Sequence, residues 1–432
     1  MSSPLLRRLM PLTAVAVIFL APLPGRATTS LTAGPFNIIF YNNLEDDGSN
    51  TSQQAWTAQQ MDDVAACVRY WEGRILNVPG RQINLHMFWY NWTGSTLGAT
   101  YCPTYGAAGT SWTYSEHAWR DGVDYDAPWD GWDGYIKMDT DAAGSSWNFG
   151  SGSPSAGRID FRSVIAHEIG HMLGFYDSYN SSTKRWGGTW GTSSDPLAFA
   201  GYNGLSWWDQ LLRDSLGNMP ANNSSGTPNK FNVKDNPVFF VGANASAYNQ
   251  GSVDIYAPNP YSGGSSLSHL DYSAFPDALM SPYISVGDMQ RQPTALEWEM
   301  MKDLGWSLAM AADANKDGIV DGQDFTILKA RFGTPGGWAD GDFNCDGFVD
   351  GQDFSVLKTH FGQTAGGAPV PEPGGLALVA LGGLATMRGR TKRKAAARST
   401  RRPTLSSRGR RVLRRSRAGT TSAGARSPAG SA

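Results

Sequence analysis

VIAHEIGHMLGFYD, residues 164–177, places His167 and His171 four positions apart. Ile159, Phe161, Val164, Ile165, Ile169 and Met172 recur around them at helical spacing, so an amphipathic helix is expected here. On such a helix the two imidazoles project from one face, one turn apart. Glu168 stands beside the first histidine, where it faces the same region without having to bind what the histidines bind. Gly174 allows the chain to turn, and Asp177 follows six residues after His171.

Two histidines and a glutamate in the order HExxH match the chemistry of zinc hydrolases, in which the imidazoles hold the metal and the glutamate is the general base. A third ligand must come from elsewhere. Asp177 is the nearest candidate, and the downstream helical residues Glu297 and Glu299 rank below it. His269 is read as structural ahead of a ligand role in some alternative site, and the strand histidine His86 as structural. The competing reading is a helix with two solvated histidines. The glycine, the helix period and the apolar start of the chain weigh against it.

Outward from this helix, Phe36–Phe40 (FNIIF) reads as a short apolar strand. Met61, Val64, Ala65, Val68 and Trp71 mark a helix, and INLHMFWYNW (83–92) an aromatic strand. GYIKMDTDAA (134–143) is read as a strand running just before the histidine helix, at an edge to which a peptide adds by backbone pairing. Helices are expected over 207–216 (WWDQLLRDSL) and 294–306 (TALEWEMMKDLGW). Strands and helices together indicate an α+β fold.

The formal charge looks balanced, at 36 basic and 38 acidic residues. Fifteen of the basic residues lie from Arg388 onward, where there is no Asp or Glu, so the body of the chain is acidic. That argues against nucleic acid as a partner. Residues 1–27 carry Arg7 and Arg8, an apolar run from Leu9 to Leu23 and a small-residue exit, the pattern of a signal peptide. The protein is therefore expected to be exported. Cys67 and Cys102 are either bridged or free in that setting, and Cys345 is odd.

Residues 313–362 repeat at an offset of 29. Oxygen side chains fall at loop positions 1, 3, 5, 9 and 12. They are Asp313, Asn315, Asp317, Asp321 and Asp324 in one copy, and Asp342, Asn344, Asp346, Asp350 and Asp353 in the other. Ile319 and Phe348 sit at position 7, where a backbone carbonyl serves. Gly318 and Gly347 fill the sharp turn at position 6. A hard cation wants such an oxygen set, so two calcium sites are expected. After a linker at 363–369 come Pro371-Glu372-Pro373, an apolar run to Met387 and a basic cluster to Lys394. Residues 395–432 are rich in Arg, Ser, Ala and Gly and should be disordered.

HEIGHMLGFYD resembles the extended motif of metzincin zinc metalloproteases in its HExxHxxGxxD form. The resemblance implies a metzincin-like domain over 28–308, a twisted mixed sheet with an active-site helix. In it His167, His171 and Asp177 bind zinc, and Glu168 activates water against peptide bonds. Met280, in ALMSPY, falls where such proteases have a methionine turn. The 313–362 pair resembles a type I dockerin, a small EF-hand-like helical domain, which implies a cohesin-like partner. Residues 370–394 resemble the PEP-CTERM sorting signals of Gram-negative bacteria, which implies transient membrane association and a destination at the cell envelope or surface. The expectation is an exported zinc endopeptidase acting on proteins or peptides. The alternative is a non-catalytic adhesion or scaffolding protein with a vestigial metal site.

Overall fold

The computed structural model describes residues 28–365 apart from 48–49, 77–81, 108–109, 123–131, 180–185, 187–204, 221–230, 232, 234–236 and 345. The segments read from sequence as signal peptide, sorting signal and tail, and Cys345, lie outside the described residues. The described residues belong to one compact unit.

Strands β1 (Thr29–Ala33), β2 (Phe36–Phe40), β3 (Ile83–Tyr90) and β4 (Gly98–Tyr101) and helix α1 (Ala58–Arg74) open the chain. Two short strands, β5 (Thr104–Ala107) and β6 (Thr110–Thr113), and the short helix α2 (Tyr114–Glu116) precede β7 (Gly134–Asp139). The main sheet runs in the order β1-β2-β3-β7-β4. β2, β3 and β7 are parallel neighbours, while β1 and β4 lie antiparallel at the two edges. Parallel neighbours need a crossover, and α1 supplies the one between β2 and β3.

The two-residue period of the strands accounts for the core. Phe36, Ile38 and Phe40 of β2 and Ile83, Leu85, Met87 and Trp89 of β3 are fully buried. Helix α1 brings Val64, Ala65, Val68 and Trp71 into the same core. After the short pair β8 (Trp147–Asn148) and β9 (Ile159–Asp160), helix α3 (Phe161–Met172) packs beside α1. Trp71 Nε1 donates to the Ala166 carbonyl at 3.2 Å and joins the two helices. Burying each large core side chain contributes about 1.5–3 kcal/mol, so the histidine helix rests on a rigid floor.

The α+β expectation holds, two local expectations change, and one open choice is decided. The 134–139 strand is interior. The edge next to α3 is β4, whose GATY sequence has no apolar alternation to announce it. The 207–216 segment divides at Leu211: β10 (Leu205–Ser206) leads into α4 (Trp207–Gln210), and β11 (Leu212–Asp214) joins β12 (Val238–Phe240) and β13 (Val253–Ile255) in a small sheet. Asp214 ends that strand by accepting from Leu216 and Asn218 backbone amides, which stops a continuing helix. Cys67 and Cys102 are free and buried, on α1 and just after β4, and do not bridge.

Helix α5 (Ala243–Asn249) packs on α6 (Ala295–Asp303), and the repeat pair closes the unit with α7 (Gly322–Arg331) and α8 (Gly351–His360). The repeat pair shares the core. Leu328, Trp338, Phe343, Val349 and Leu357 are buried in the same cluster as Trp71 and Trp298.

Candidate metal centre

Helix α3 begins at an Asp160 cap, whose carboxylate accepts from the Ser163 amide and is paired with Arg291 at 2.6 Å. Its last residue is Met172, and just beyond it Gly174 lies in the left-handed region at φ 114°, a conformation that favours glycine. The turn brings the Phe175 carbonyl back against the helix end, 2.6 Å from His171 Nδ1. His167 Nδ1 lies 2.7 Å from the Leu279 carbonyl. A carbonyl only accepts, so each Nδ1 must carry the proton, and each Nε2 presents a lone pair.

His269 joins them. Its Nδ1 lies 2.8 Å from the Ser265 carbonyl, and its Nε2 lies 3.1 Å from His167 Nε2, which is itself 3.1 Å from His171 Nε2. One ligand atom from each of the three histidines lies within 4.8 Å of the other two. Three imidazole lone pairs, one buried and two half-buried, aimed at one another repel unless a cation stands between them. Imidazole donors in this number, each oriented by a backbone carbonyl, fit zinc. Burial lowers the proton affinity of all three, to about 4 for His167 and about 3 for His171, and well below the ordinary value for His269. The rings thus stay neutral and able to bind metal well into acid.

Asp177 does not take the third place. The cluster of potential ligand atoms is His167, His171 and His269, and Asp177 is not among them. Asp177 instead accepts from the Tyr179 amide at 3.0 Å. Its carboxyl is pushed up, first by burial and then by neighbouring Asp209. His269, read from sequence as structural, stands where Asp177 was expected. Its one sequence signal is its position on the segment that also carries Met280, whose carbonyl accepts from Leu270.

Met280 is fully buried against α3. A Cβ on Gly170 would lie 2.5 Å from its sulfur, so only glycine lets the methionine seat between the two histidine turns. Replacing Gly170 with alanine is expected to destabilise the fold by about 1–3 kcal/mol through overpacking. Urea unfolding of the variant measures this, and an unchanged midpoint would contradict it. Glu297 is not a ligand either. Its carboxylate accepts from the amides of Met280 (2.6 Å) and Leu279 (3.1 Å), and so fastens the turn whose carbonyl holds His167.

Glu168 faces β4. Thr100 Oγ1 lies 2.6 Å from its Oε2, and a Cβ on Gly98 would lie 2.7 Å from its Oε1. The edge strand therefore passes directly over the carboxylate. Burial raises the Glu168 pKa to about 7, against the lowering effect of the Thr100 hydrogen bond. A carboxyl poised near neutrality is suited to taking and returning a proton.

Farther along, the repeat loops are built as the oxygen pattern requires. Gly318 and Gly347 adopt φ 82° and 91°. Asp313 Oδ2 and Asp342 Oδ2 accept from those glycine amides at 2.9 Å. Asp324 and Asp353, at position 12, each receive the amide of their own position 9 at 2.8 Å, which draws the aspartate into the loop where a longer glutamate is usual.

Residues 311–362 match the dockerin type I domain. Dockerin domains bind calcium and imply a cohesin partner, so this part of the chain is a calcium-binding attachment module of a kind typical of extracellular and cell-surface proteins. No curated protein matches the chain. No described helix is long and apolar enough to cross a membrane.

Proposed function

We propose that the protein is an exported zinc endopeptidase carried by a dockerin domain. The observation that supports this best is the convergence of three carbonyl-anchored imidazoles, His167, His171 and His269, beside a buried Glu168. When bound, zinc would supply a Lewis acid that polarises the scissile carbonyl and acidifies water. The chain's own residues supply the rest. Glu168 takes a proton from the attacking water on its carboxylate and returns it to the leaving amine. Thr100 holds Oε2 in place. β4 offers an antiparallel edge beside α3 to which an extended peptide adds by backbone hydrogen bonds, and Gly98 keeps side-chain bulk away from the carboxylate.

Met280 behind the histidines supports the metzincin resemblance, with His269 rather than Asp177 completing the ligand set. On the dockerin domain, Phe325, Phe354 and Phe361 are 38%, 43% and 42% exposed and line a shallow apolar groove with Leu357 and Lys358. A cohesin-like partner would cover that groove, leaving the histidine centre to act while the chain is attached. The PEP-CTERM resemblance of 370–394 points to the same surface destination.

Cleavage of an unstructured protein such as casein by the zinc-loaded chain tests the reading. Intact casein after prolonged incubation with a fully zinc-loaded sample would favour attachment without catalysis. The pH profile is a further test. The base works as the carboxylate, so activity falls as pH drops through its pKa, which a bound cation lowers from about 7. Thr100→Val removes the hydrogen bond that favours the carboxylate. The acid limb of kcat/KM is therefore expected to move to higher pH, and a limb that stays in place or moves down would remove Thr100 from this role.

A further inference from the structure

The dockerin domain does not hang from a flexible tether. Ser307 and Ala309, just before it, are hydrogen-bonded to Leu76 and Arg74 at the end of α1. Trp338, which links the two repeats, is buried beside Tyr70 and Trp298, with the Arg74 guanidinium 5.3 Å above its ring. Its indole donates to the Asp313 carbonyl at 2.8 Å, inside the first calcium loop. A Cβ on Gly73 would collide with Trp338 Cβ and Cγ, so α1 has a notch shaped for this side chain. Lys316, also in the first loop, donates to the Glu72 and Ile75 carbonyls at 2.9 and 3.0 Å.

The second loop is held more directly to the histidine helix. Arg162, on the first turn of α3, pairs with buried Asp63 at 2.8 Å and donates to the Asp346 carbonyl at 2.6 Å. Gln292 donates to the Asn344 carbonyl. Its neighbour Arg291 pairs with the Asp160 cap of α3, and Gln290 donates its amide to Ser163. Asn344 and Asp346 are loop positions 3 and 5, which offer side chains to a calcium ion and leave their carbonyls unused. The ion and the α3 contacts therefore draw on different atoms of the same two residues.

We propose that the dockerin domain is an internal brace: calcium in its second loop, residues 342–353, holds the N-terminal end of α3 in place through Arg162 and Gln292. The inference rests on the calcium loop and the interface, and stands whether or not the histidine centre hydrolyses peptides. Its consequence is that calcium ligation stiffens a helix that is not part of the dockerin domain, because the unfolded and native states differ in affinity for the ion across one cooperative unit.

The test uses the full chain stripped of all metals, with calcium alone added back. Calorimetry is expected to show one transition spanning body and dockerin, with a midpoint that rises with calcium. Amide exchange in 161–172 should slow by roughly tenfold or more on calcium addition. Two separate transitions, with calcium moving the smaller alone and exchange in α3 unchanged, would overturn the brace. Gly73→Ala fills the notch yet favours helix in α1. It is expected to split the transition and abolish the calcium effect on α3. Gln292→Ala, a milder change at the interface, should weaken the calcium effect on α3 while leaving calcium affinity of the first loop unchanged. A calcium effect of wild-type size in both variants would refute the coupling.

Discussion

Glu168→Ala is expected to lower peptide hydrolysis by about 10²–10⁴-fold while zinc content stays at the wild-type level. The two halves of that result come from different atoms. Metal retention depends on three Nε2 atoms whose rings are fixed through Nδ1 by the carbonyls of Leu279, Phe175 and Ser265, none of which Glu168 touches. Turnover depends on a carboxylate that burial holds near pH 7 and that Thr100 keeps in one orientation. Glu168→Gln sharpens the comparison. It keeps the shape and leaves a group able to bond Thr100, yet it cannot accept a proton. Equal losses in the alanine and glutamine variants, measured on a fluorogenic peptide beside metal analysis, would assign the effect to proton transfer. A glutamine variant with near wild-type kcat would sink the general-base role, and loss of zinc in either variant would show that Glu168 helps to hold the metal.

The readable parts of the site share one property: their partners are near in sequence. His167, Glu168 and His171 sit within one turn and a half of a helix whose apolar period is strong. The calcium loops take their oxygens from twelve consecutive residues, and the doubling of the pattern at 313–362 makes the reading firmer. The third histidine has no such local support. His269 is 102 residues from His167, and it reaches the centre because β13, the bridge from Ile255 to Leu270 and the Met280 turn fold it back over α3. Asp177 takes the third place in the HExxHxxGxxD resemblance, but nearness along the chain says nothing of the direction the chain takes. The edge strand β4 also lacks a local signal. Its GATY sequence lacks alternation because one face must stay small against Glu168. The union of dockerin and body also left little trace, since a glycine notch for a tryptophan cannot be seen until both are placed.

His269→Ala is expected to reduce zinc affinity by more than about 100-fold, and Asp177→Ala to leave it within a few-fold of wild type. Outer-shell partners of a metal site are worth roughly 10–100-fold, so loss of a direct donor should exceed that range. The contrast between the two variants carries the argument. His269 is buried and Asp177 half-buried, so each substitution disturbs packing, but only His269 presents a lone pair 3.1 Å from another ligand nitrogen. Asp177→Ala removes a carboxyl that burial and Asp209 already hold toward its neutral form, so the variant gives up little charge. The repulsion among the imidazoles supplies an independent reading. Without metal, three neutral Nε2 atoms face one another, and removing one relieves that conflict. The gain in melting temperature on adding zinc should therefore be large in wild type and in Asp177→Ala, and nearly absent in His269→Ala. Equilibrium dialysis against a zinc buffer, with thermal unfolding at matched free zinc, measures both quantities. Wild-type zinc binding by His269→Ala together with loss in Asp177→Ala would return the third position to the aspartate, and with it the HExxHxxGxxD form that the sequence resembles.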